Sequence, residues 1–207
     1  ILENMPRVSD VENSLEILRR MGAEAEFVDA HSVKINTKNA KNLYFDMDLV
    51  SKMRASSYLM SSCLARYGSV HMIYPGGCNF GARPIEQHIK GFRALGASCT
   101  EDGEFIALST SKMVQNAEIT LDKISVGATI NMIVASCIGK GTVIIRNVAK
   151  EPHVLDLISF LKSLDLDSVQ ESINSVQRVL GLLQDMSSSN KNVPKVKPRP
   201  IYKHFDD

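Results

Sequence analysis

Residues 75–84 read Pro-Gly-Gly-Cys-Asn-Phe-Gly-Ala-Arg-Pro, a thiol in a glycine-rich loop with a guanidinium five residues further on. A thiol close to Arg83 and to a helix N-terminus has its thiolate favoured, because both bring positive charge near the sulfur. Cys78 is therefore a candidate reactive thiol. Gly76, Gly77 and Gly81 leave the loop free to bend as a lid must. Pro84 suits the first position of a following helix, where its missing N–H costs nothing. The same stretch also reads as a surface turn with an incidental cysteine, so the flanking elements have to decide between the two.

Those elements can be read from hydrophobic spacing. Val11, Leu15, Leu18 and Met21 stripe a helix that Asp10 can cap and Gly22 can stop. A hairpin-like region follows over 23–35. A single helix is expected over 48–67, striped by Leu49, Met53, Met60, Leu64 and Tyr67 and ended by Gly68, and a strand over 69–74. Beyond the glycine loop, Ile85, Ile89, Phe92 and Leu95 mark a helix stopped by Gly96. A hairpin over 97–109 turns at Glu101-Asp102-Gly103-Glu104. A strand over 117–121, an apolar helix over 127–138, a strand over 142–145 and a helix over 152–164 complete the patterned region.

The pieces repeat. Met21-Gly22-Ala23 and Leu95-Gly96-Ala97 close equivalent helices 74 residues apart, and Gly68-Ser69-Val70 and Gly141-Thr142-Val143 fall 73 apart. Two landmarks at nearly one period imply a repeated α/β unit. Three such units, the third incomplete, sharing buried helices make one domain over 1–164. The third unit departs after Leu164, where Asp165-Leu166-Asp167-Ser168 stands in place of Gly-Ala and a hairpin. Val169, Ile173, Val176, Leu180 and Leu183 then form a heptad-like stripe, an amphipathic helix over 165–186. The remainder, 187–207, is rich in Ser, Lys, Asn and Pro and reads as a disordered tail.

Composition narrows the function classes. Hydrophobic residues are 44% and charged ones 23%, average for a soluble globular chain, and a net charge of +1 offers no field for nucleic acid or membrane. No apolar run reaches spanning length, and no signal peptide is expected from these residues. Four cysteines without CxxC or other ligand spacing argue against zinc, and Cys63, Cys99 and Cys137 sit in apolar settings that suit free thiols in a reducing compartment. His31, His71, His153 and His204 form no cluster, and His88 reads as a helix-face histidine supporting the loop. Starting at Ile1 without a methionine, the chain looks like the interior of something longer.

Several ordered blocks together resemble the UDP-N-acetylglucosamine enolpyruvyl transferases (1-carboxyvinyltransferases) of the EPSP synthase-like superfamily. They are Lys52-Met53-Arg54-Ala55-Ser56, Leu64-Ala65-Arg66-Tyr67-Gly68 and the loop 75–84, with Ser125-Val126-Gly127-Ala128-Thr129 and Asn147-Val148-Ala149-Lys150-Glu151-Pro152 further on. The resemblance covers about residues 1–164. It implies an inside-out α/β barrel-type fold, α+β in content, with three repeats per domain. It also implies transfer of the enolpyruvyl group of phosphoenolpyruvate to the 3′-hydroxyl of UDP-N-acetylglucosamine, with release of phosphate. That reaction is the first committed step of peptidoglycan synthesis in the cytoplasm, and it uses no cofactor or metal.

By the same resemblance Cys78 is the general acid and touches phosphoenolpyruvate, and Arg83 binds phosphate, to which a guanidinium fork is well matched. Arg54 matches an arginine of the nucleotide-sugar site. Pro84, Ile85 and Glu86 match uridine contacts, with Glu86 replacing the usual aspartate. Lys123, Ser125, Val126 and Gly127 match diphosphate and uridine contacts, which agrees with a lysine beside a helix start.

The family pattern also includes an N-terminal Lys-Asn pair, and a second domain with an aspartate base and another arginine, that have no counterpart in these 207 residues. The expectation is a chain inactive alone, with a complementing second domain as partner. Three other readings stay open: a non-catalytic nucleotide-sugar or partner-binding derivative, oligomerisation through 168–186, and the 3-phosphoshikimate activity of the same fold.

Overall fold

A computed structural model describes residues 1–41, 45, 47–76, 85–111, 116–137 and 141–163. The loop residues 77–84, with Cys78, Arg83 and Pro84, and the expected helix and tail over 165–207 lie outside the described residues.

The chain begins with helix α1 (Ser9–Arg20), whose buried face carries Leu15 and Ile17, followed by the antiparallel hairpin β1 (Glu24–Phe27) and β2 (Val33–Asn36). Leu2 bridges Val33, so the segment before α1 lies on the far side of β2 from β1. Next come α2 (Met47–Lys52), a 3₁₀ turn (Arg54–Ser57), α3 (Tyr58–Tyr67) and β3 (Ser69–Ile73). Helix α4 (Glu86–Ala94) leads into the hairpin β4 (Ser98–Asp102) and β5 (Phe105–Ser109), and β3 pairs with β5 to give the order β3-β5-β4. The N-terminal segment, β2 and β1 show the same order around α1. Strand β6 (Ala117–Thr120), α5 (Val126–Ser136) and β7 (Val143–Arg146) form a crossover in which β6 and β7 pair in parallel, as a helix-length connection permits. Helix α6 (Pro152–Ser163) closes the described chain.

The hairpins, the helix over 152–164 through Ser163 and the glycine stops fall where spacing placed them. Gly22, Gly68 and Gly96 all adopt positive φ, the left-handed backbone that glycine ends a helix with. Three local expectations are corrected. The helix expected over 48–67 is broken: Met53 is extended (φ −135°, ψ 122°), and the buried Ser56 hydroxyl lies 3.0 Å from the Val50 carbonyl and 2.6 Å from that of Met53. A side chain competing for backbone carbonyls in this way ends one helix and opens a 3₁₀ turn. Helix α1 starts at Ser9 from an extended Val8 without a side-chain cap, so Asp10 lies in the first turn, where its charge suits the helix dipole. Helix α4 begins at Glu86 with Ile85 as its N-cap, so the first helical position is not that of Pro84.

Helix α5 is the centre of the packing. Ala128 to Ile133, Ala135 and Ser136 are all buried on it, and it packs against α3, α4 and α6. Met60 and Leu64 of α3, Phe92 of α4, Met132 of α5 and Ile158 of α6 are almost wholly removed from water. Each such side chain contributes on the order of 1.5–3 kcal/mol. The approach of α4 to α5 depends on Gly91, since a Cβ there would lie 2.0 Å from Met132 Sδ.

Gly91→Ala is therefore expected to destabilise the chain by about 1–3 kcal/mol in urea denaturation. Met132→Ala alone should cost about 2–5 kcal/mol, and the double variant less than the sum. Additive losses would refute the contact.

Candidate functional site

The 3₁₀ turn before α3, the first turn of α4 and the turn between β6 and α5 meet around a cleft of about 430 Å³. The first supplies Arg54 and Ser57, with Tyr58 from the start of α3 beside them, the second Glu86, Gln87 and His88, and the third Lys123, Ile124, Ser125, Val126 and Gly127. Arg54, Glu86, Lys123, Ser125, Val126 and Gly127, singled out in sequence from segments up to 73 residues apart, thus line one cavity. Ile85 does not: its side chain is in the core, 3% exposed, and borders a second cavity with Tyr74, Ile89 and Arg93. Cys78, Arg83 and Pro84 belong to the residues not described. Ser57, Tyr58, Gln87 and Ile124 were not anticipated. Tyr58 stands one helical turn after Arg54, and Gln87 directly follows Glu86, so their spacing was a usable signal.

Each turn is held by identifiable bonds. Ser125 caps α5, its backbone extended and its Oγ accepting from Ala128 N at 3.3 Å. Thr129 donates to the Ser125 carbonyl at 2.8 Å and accepts from Ala149 N at 3.0 Å, which joins the first turn of α5 to the segment after β7. Asn147, at φ 57°, donates from Nδ2 to Leu121 O at 2.8 Å and fixes the end of β6. The blocks Ser125–Thr129 and 147–152 are therefore mutually braced.

The turn carrying Lys123 is also clamped to α4. Asp122 N donates to Gln87 Oε1 at 2.8 Å, and the Asp122 carboxylate accepts from Gln87 Nε2 at 3.3 Å and Lys90 Nζ at 2.5 Å. The bond from Lys90, followed by that from Gln87, holds the Asp122 carboxyl below the usual range.

The described start of the glycine loop is tied to the same cleft. Arg54 donates to the Pro75 carbonyl at 3.2 Å, and Gly76 N donates to Val50 O at 3.3 Å. At Gly76 a Cβ would lie 1.5 Å from the Ser51 carbonyl oxygen, so the loop leaves α2 at a distance only glycine permits.

His88 is 2% exposed, on the face of α4 that packs against α5, although it also borders the cleft. Burial, with the nearby Arg54 guanidinium second, pushes its pKa down from 6.5 to about 4. Burial likewise raises Tyr58. Cleft cations and anion are Arg54, Lys123 and Glu86, beside the 64% exposed apolar side chain of Ile124. Two cations and the free N–H groups of a capped helix start can hold a multiply charged oxyanion, and Tyr58 and Ile124 offer apolar surface beside it. Among the described residues no group of three or more His, Cys, Asp or Glu is placed to hold a metal, and no helix is long and apolar enough to cross a membrane. Cys63, Cys99 and Cys137 are free thiols, Cys63 buried and the other two half-buried, with burial raising the pKa of each.

The architecture defines a class of protein. It is similar to the enolpyruvyl transferase NikO from Streptomyces tendae, with a TM-score of 0.68 at 21% identity over 80% of this chain and 39% of the other. It also matches EPSP synthase from Acinetobacter baumannii, with a TM-score of 0.52 at 16% identity over 72% and 35%. The shared feature is the enolpyruvyl transferase fold. A family model, EPSP synthase (3-phosphoshikimate 1-carboxyvinyltransferase), matches residues 1–179, and the chain belongs to that family.

Among curated relatives it is 41% identical over 164 residues to UDP-N-acetylglucosamine 1-carboxyvinyltransferase 3 of Caldanaerobacter subterraneus, covering 79% of this chain and 39% of the relative. It is 38% identical to UDP-N-acetylglucosamine 1-carboxyvinyltransferase of Finegoldia magna over 88% and 43%. The chain spans about two fifths of the length of these relatives. The family model continues fifteen residues past 164, where the motif resemblance ends.

Two outcomes follow. Asp122→Ala should speed amide exchange at Lys123 and Ile124 severalfold by releasing the turn from α4. Global stability should change by less than about 1 kcal/mol, because the pair is exposed; unchanged exchange at both amides would refute the clamp. For His88, the folded pKa lies below the unfolded one, so its contribution to stability is complete above pH 6.5. It is lost as pH falls toward about 4, where the unfolded chain binds the proton and the folded one does not. Unfolding free energy should fall by up to about 3 kcal/mol through that window. A flat profile between pH 6.5 and 5 would contradict the burial of a neutral imidazole.

Proposed function

We propose that this chain is the nucleotide-sugar-binding portion of a UDP-N-acetylglucosamine 1-carboxyvinyltransferase acting in peptidoglycan synthesis in the cytoplasm. The observation that carries the reading is the single cleft formed by Arg54, Glu86, Lys123 and Ser125–Gly127, adjoining the entry of the glycine loop. Lys123 and the α5 start suit the diphosphate, and Tyr58 and Ile124 offer flat and apolar surface to the uridine. Arg83 takes the phosphate of phosphoenolpyruvate and Cys78 is the acid. Cys78 gives a proton to the methylene carbon as the 3′-hydroxyl, losing its own proton, adds to the adjacent carbon. Loss of phosphate and of a methyl proton from the tetrahedral adduct restores the double bond. An arginine five residues along the sequence favours ionisation of the thiol, and the dianion suits a bidentate fork.

In the same reading, residues 1–164 are one inside-out α/β barrel-type domain of three units, the third incomplete. Residues 165–186 form an amphipathic helix and 187–207 a disordered tail. The partner is a second domain that supplies the base and a further arginine. The 3-phosphoshikimate activity is less favoured, since the relatives at 35–41% identity carry the UDP-N-acetylglucosamine name.

Calorimetry on the 207-residue chain should show saturable binding of UDP-N-acetylglucosamine. Lys123→Ala should weaken it about tenfold to a hundredfold, the range for a lost bond to a charged group. Phosphate release from phosphoenolpyruvate should stay at background. Binding of 3-phosphoshikimate in place of the nucleotide sugar would reverse the choice of acceptor, and robust turnover by this chain alone would remove the need for the second domain.

A further inference from the structure

Asn131 is wholly buried on α5, one turn after Gly127, and none of its bonds follows from helix packing alone. Its Nδ2 lies 3.2 Å from the carbonyl oxygen of Ser57 and 2.7 Å from Nδ1 of His88. A carbonyl can only accept, so the atom facing Ser57 must be the amide nitrogen. The same nitrogen therefore presents a hydrogen to His88, and Nδ1 of a neutral imidazole meeting a donor must be the bare nitrogen. The ring proton is then on Nε2. That edge of the ring lies against the start of α5: a Cβ added to Gly127 would stand 3.1 Å from Nε2 and 2.9 Å from Cε1. His88, Ser57 and Gly127 all border the cleft, and Asn131 Oδ1 has no hydrogen-bond partner among the described residues.

We propose that Asn131 is a positioning residue that locks His88 as the Nε2–H tautomer, making the imidazole a fixed donor to an acceptor oxygen of the ligand in this cleft. The ligand part rests on the reading that the cleft holds UDP-N-acetylglucosamine; the tautomer does not. Gly127 is what lets the ring edge sit this close to the start of α5, because a Cβ there would crowd Cε1 and Nε2 at 2.9 and 3.1 Å and push the imidazole away. The surroundings favour a neutral ring throughout the physiological range. Arg54 on the 3₁₀ turn and Lys123 on the β6–α5 turn are cations, Tyr58 of α3 is uncharged, Glu86 is the one acid lining the cleft among the described residues, and α5 carries no ionisable side chain. His88 also loses water by burial, which lowers its pKa further. An ordinary solvent-facing histidine would change from two donors to one as pH rises from 6 to 8. Here the donor stays single and directed.

The test is a long-range ¹H–¹⁵N spectrum of the full chain, in which His88 is one of five histidines and is assigned by its loss in His88→Gln. The expected result is the Nε2–H pattern for His88 unchanged from pH 6 to 8, with one side-chain amide proton of Asn131 protected from exchange. An Nδ1–H pattern, rapid tautomer averaging or an unprotected Asn131 amide overturns the proposal without any variant. Asn131→Asp replaces the donor by an acceptor and should move the neutral proton to Nδ1, so that Nε2–H survives only when the ring is charged. UDP-N-acetylglucosamine affinity should then fall roughly fivefold to tenfold from pH 6 to pH 8 in the variant and stay level in the unmodified chain. Retention of the Nε2–H tautomer in a folded Asn131→Asp overturns the role of Asn131. If that variant does not fold, the unmodified-chain spectrum decides. If the unmodified chain gives the expected spectrum but binds no nucleotide sugar, the functional reading fails and the lock stands.

Discussion

A helix buried on nearly all sides has to find partners for the polar groups it carries, and α5, on which Asn131 Oδ1 is the one buried polar side-chain atom left unpaired among the described residues, sets that constraint for this chain. Ser125 opens it with its own hydroxyl, Thr129 bonds backward to Ser125 and forward to Ala149, and Ser136 returns to the Met132 carbonyl at 2.6 Å. Asn131 reaches across to α4 and to the 3₁₀ turn before α3. Satisfying the interior of α5 thus draws together the three segments that line the cleft. The site is partly a by-product of the polar bookkeeping that any central helix imposes. What is specific to it lies in the few groups that line the cleft without serving the core: Lys123 and the first N–H groups of α5.

Local rules exposed much of this in the sequence. Turn residues and glycine stops predict elements because they act over three or four positions, and Gly22, Gly68 and Gly96 all sit in the left-handed backbone they were read to need. The stripe over 48–67 failed for a different reason. Hydrophobic period alone cannot see that Ser56, buried, turns its hydroxyl onto the carbonyls of Val50 and Met53 and takes them out of the helix ladder. The break matters, since it puts Arg54 at a corner from which it bonds Pro75. A continuous helix would send the guanidinium elsewhere on the cylinder.

The candidate site was legible to a different degree. Arg54, Glu86, Lys123 and Ser125–Gly127 emerged because motif blocks preserve local sequence, and the fold brings them to one cavity. Ile85 shows the limit of that route. Its place in a motif leaves open whether side chain or backbone is presented, and here the side chain belongs to the core. His88 and Asn131 were illegible as a pair, since 43 residues separate them and only the packing of α4 on α5 makes them neighbours. No window of sequence holds that contact.

The fold is shared with structures of different name at 16–21% identity. Architecture therefore cannot choose between acceptors, and the choice must come from side chains that line the cleft without supporting the core. Gln87 is an instructive case. Its side chain is spent on Asp122, holding the turn on which Lys123 and Ile124 stand, so a residue in the first turn of α4 shapes the cleft from behind. Substrate choice in such a site rests on two layers: the groups that meet the ligand, and the exposed polar clamps that decide where those groups stand. Because the clamps lie at the surface and contribute little to stability, they can change without disturbing α5, so the lining of the cleft can vary over one and the same core.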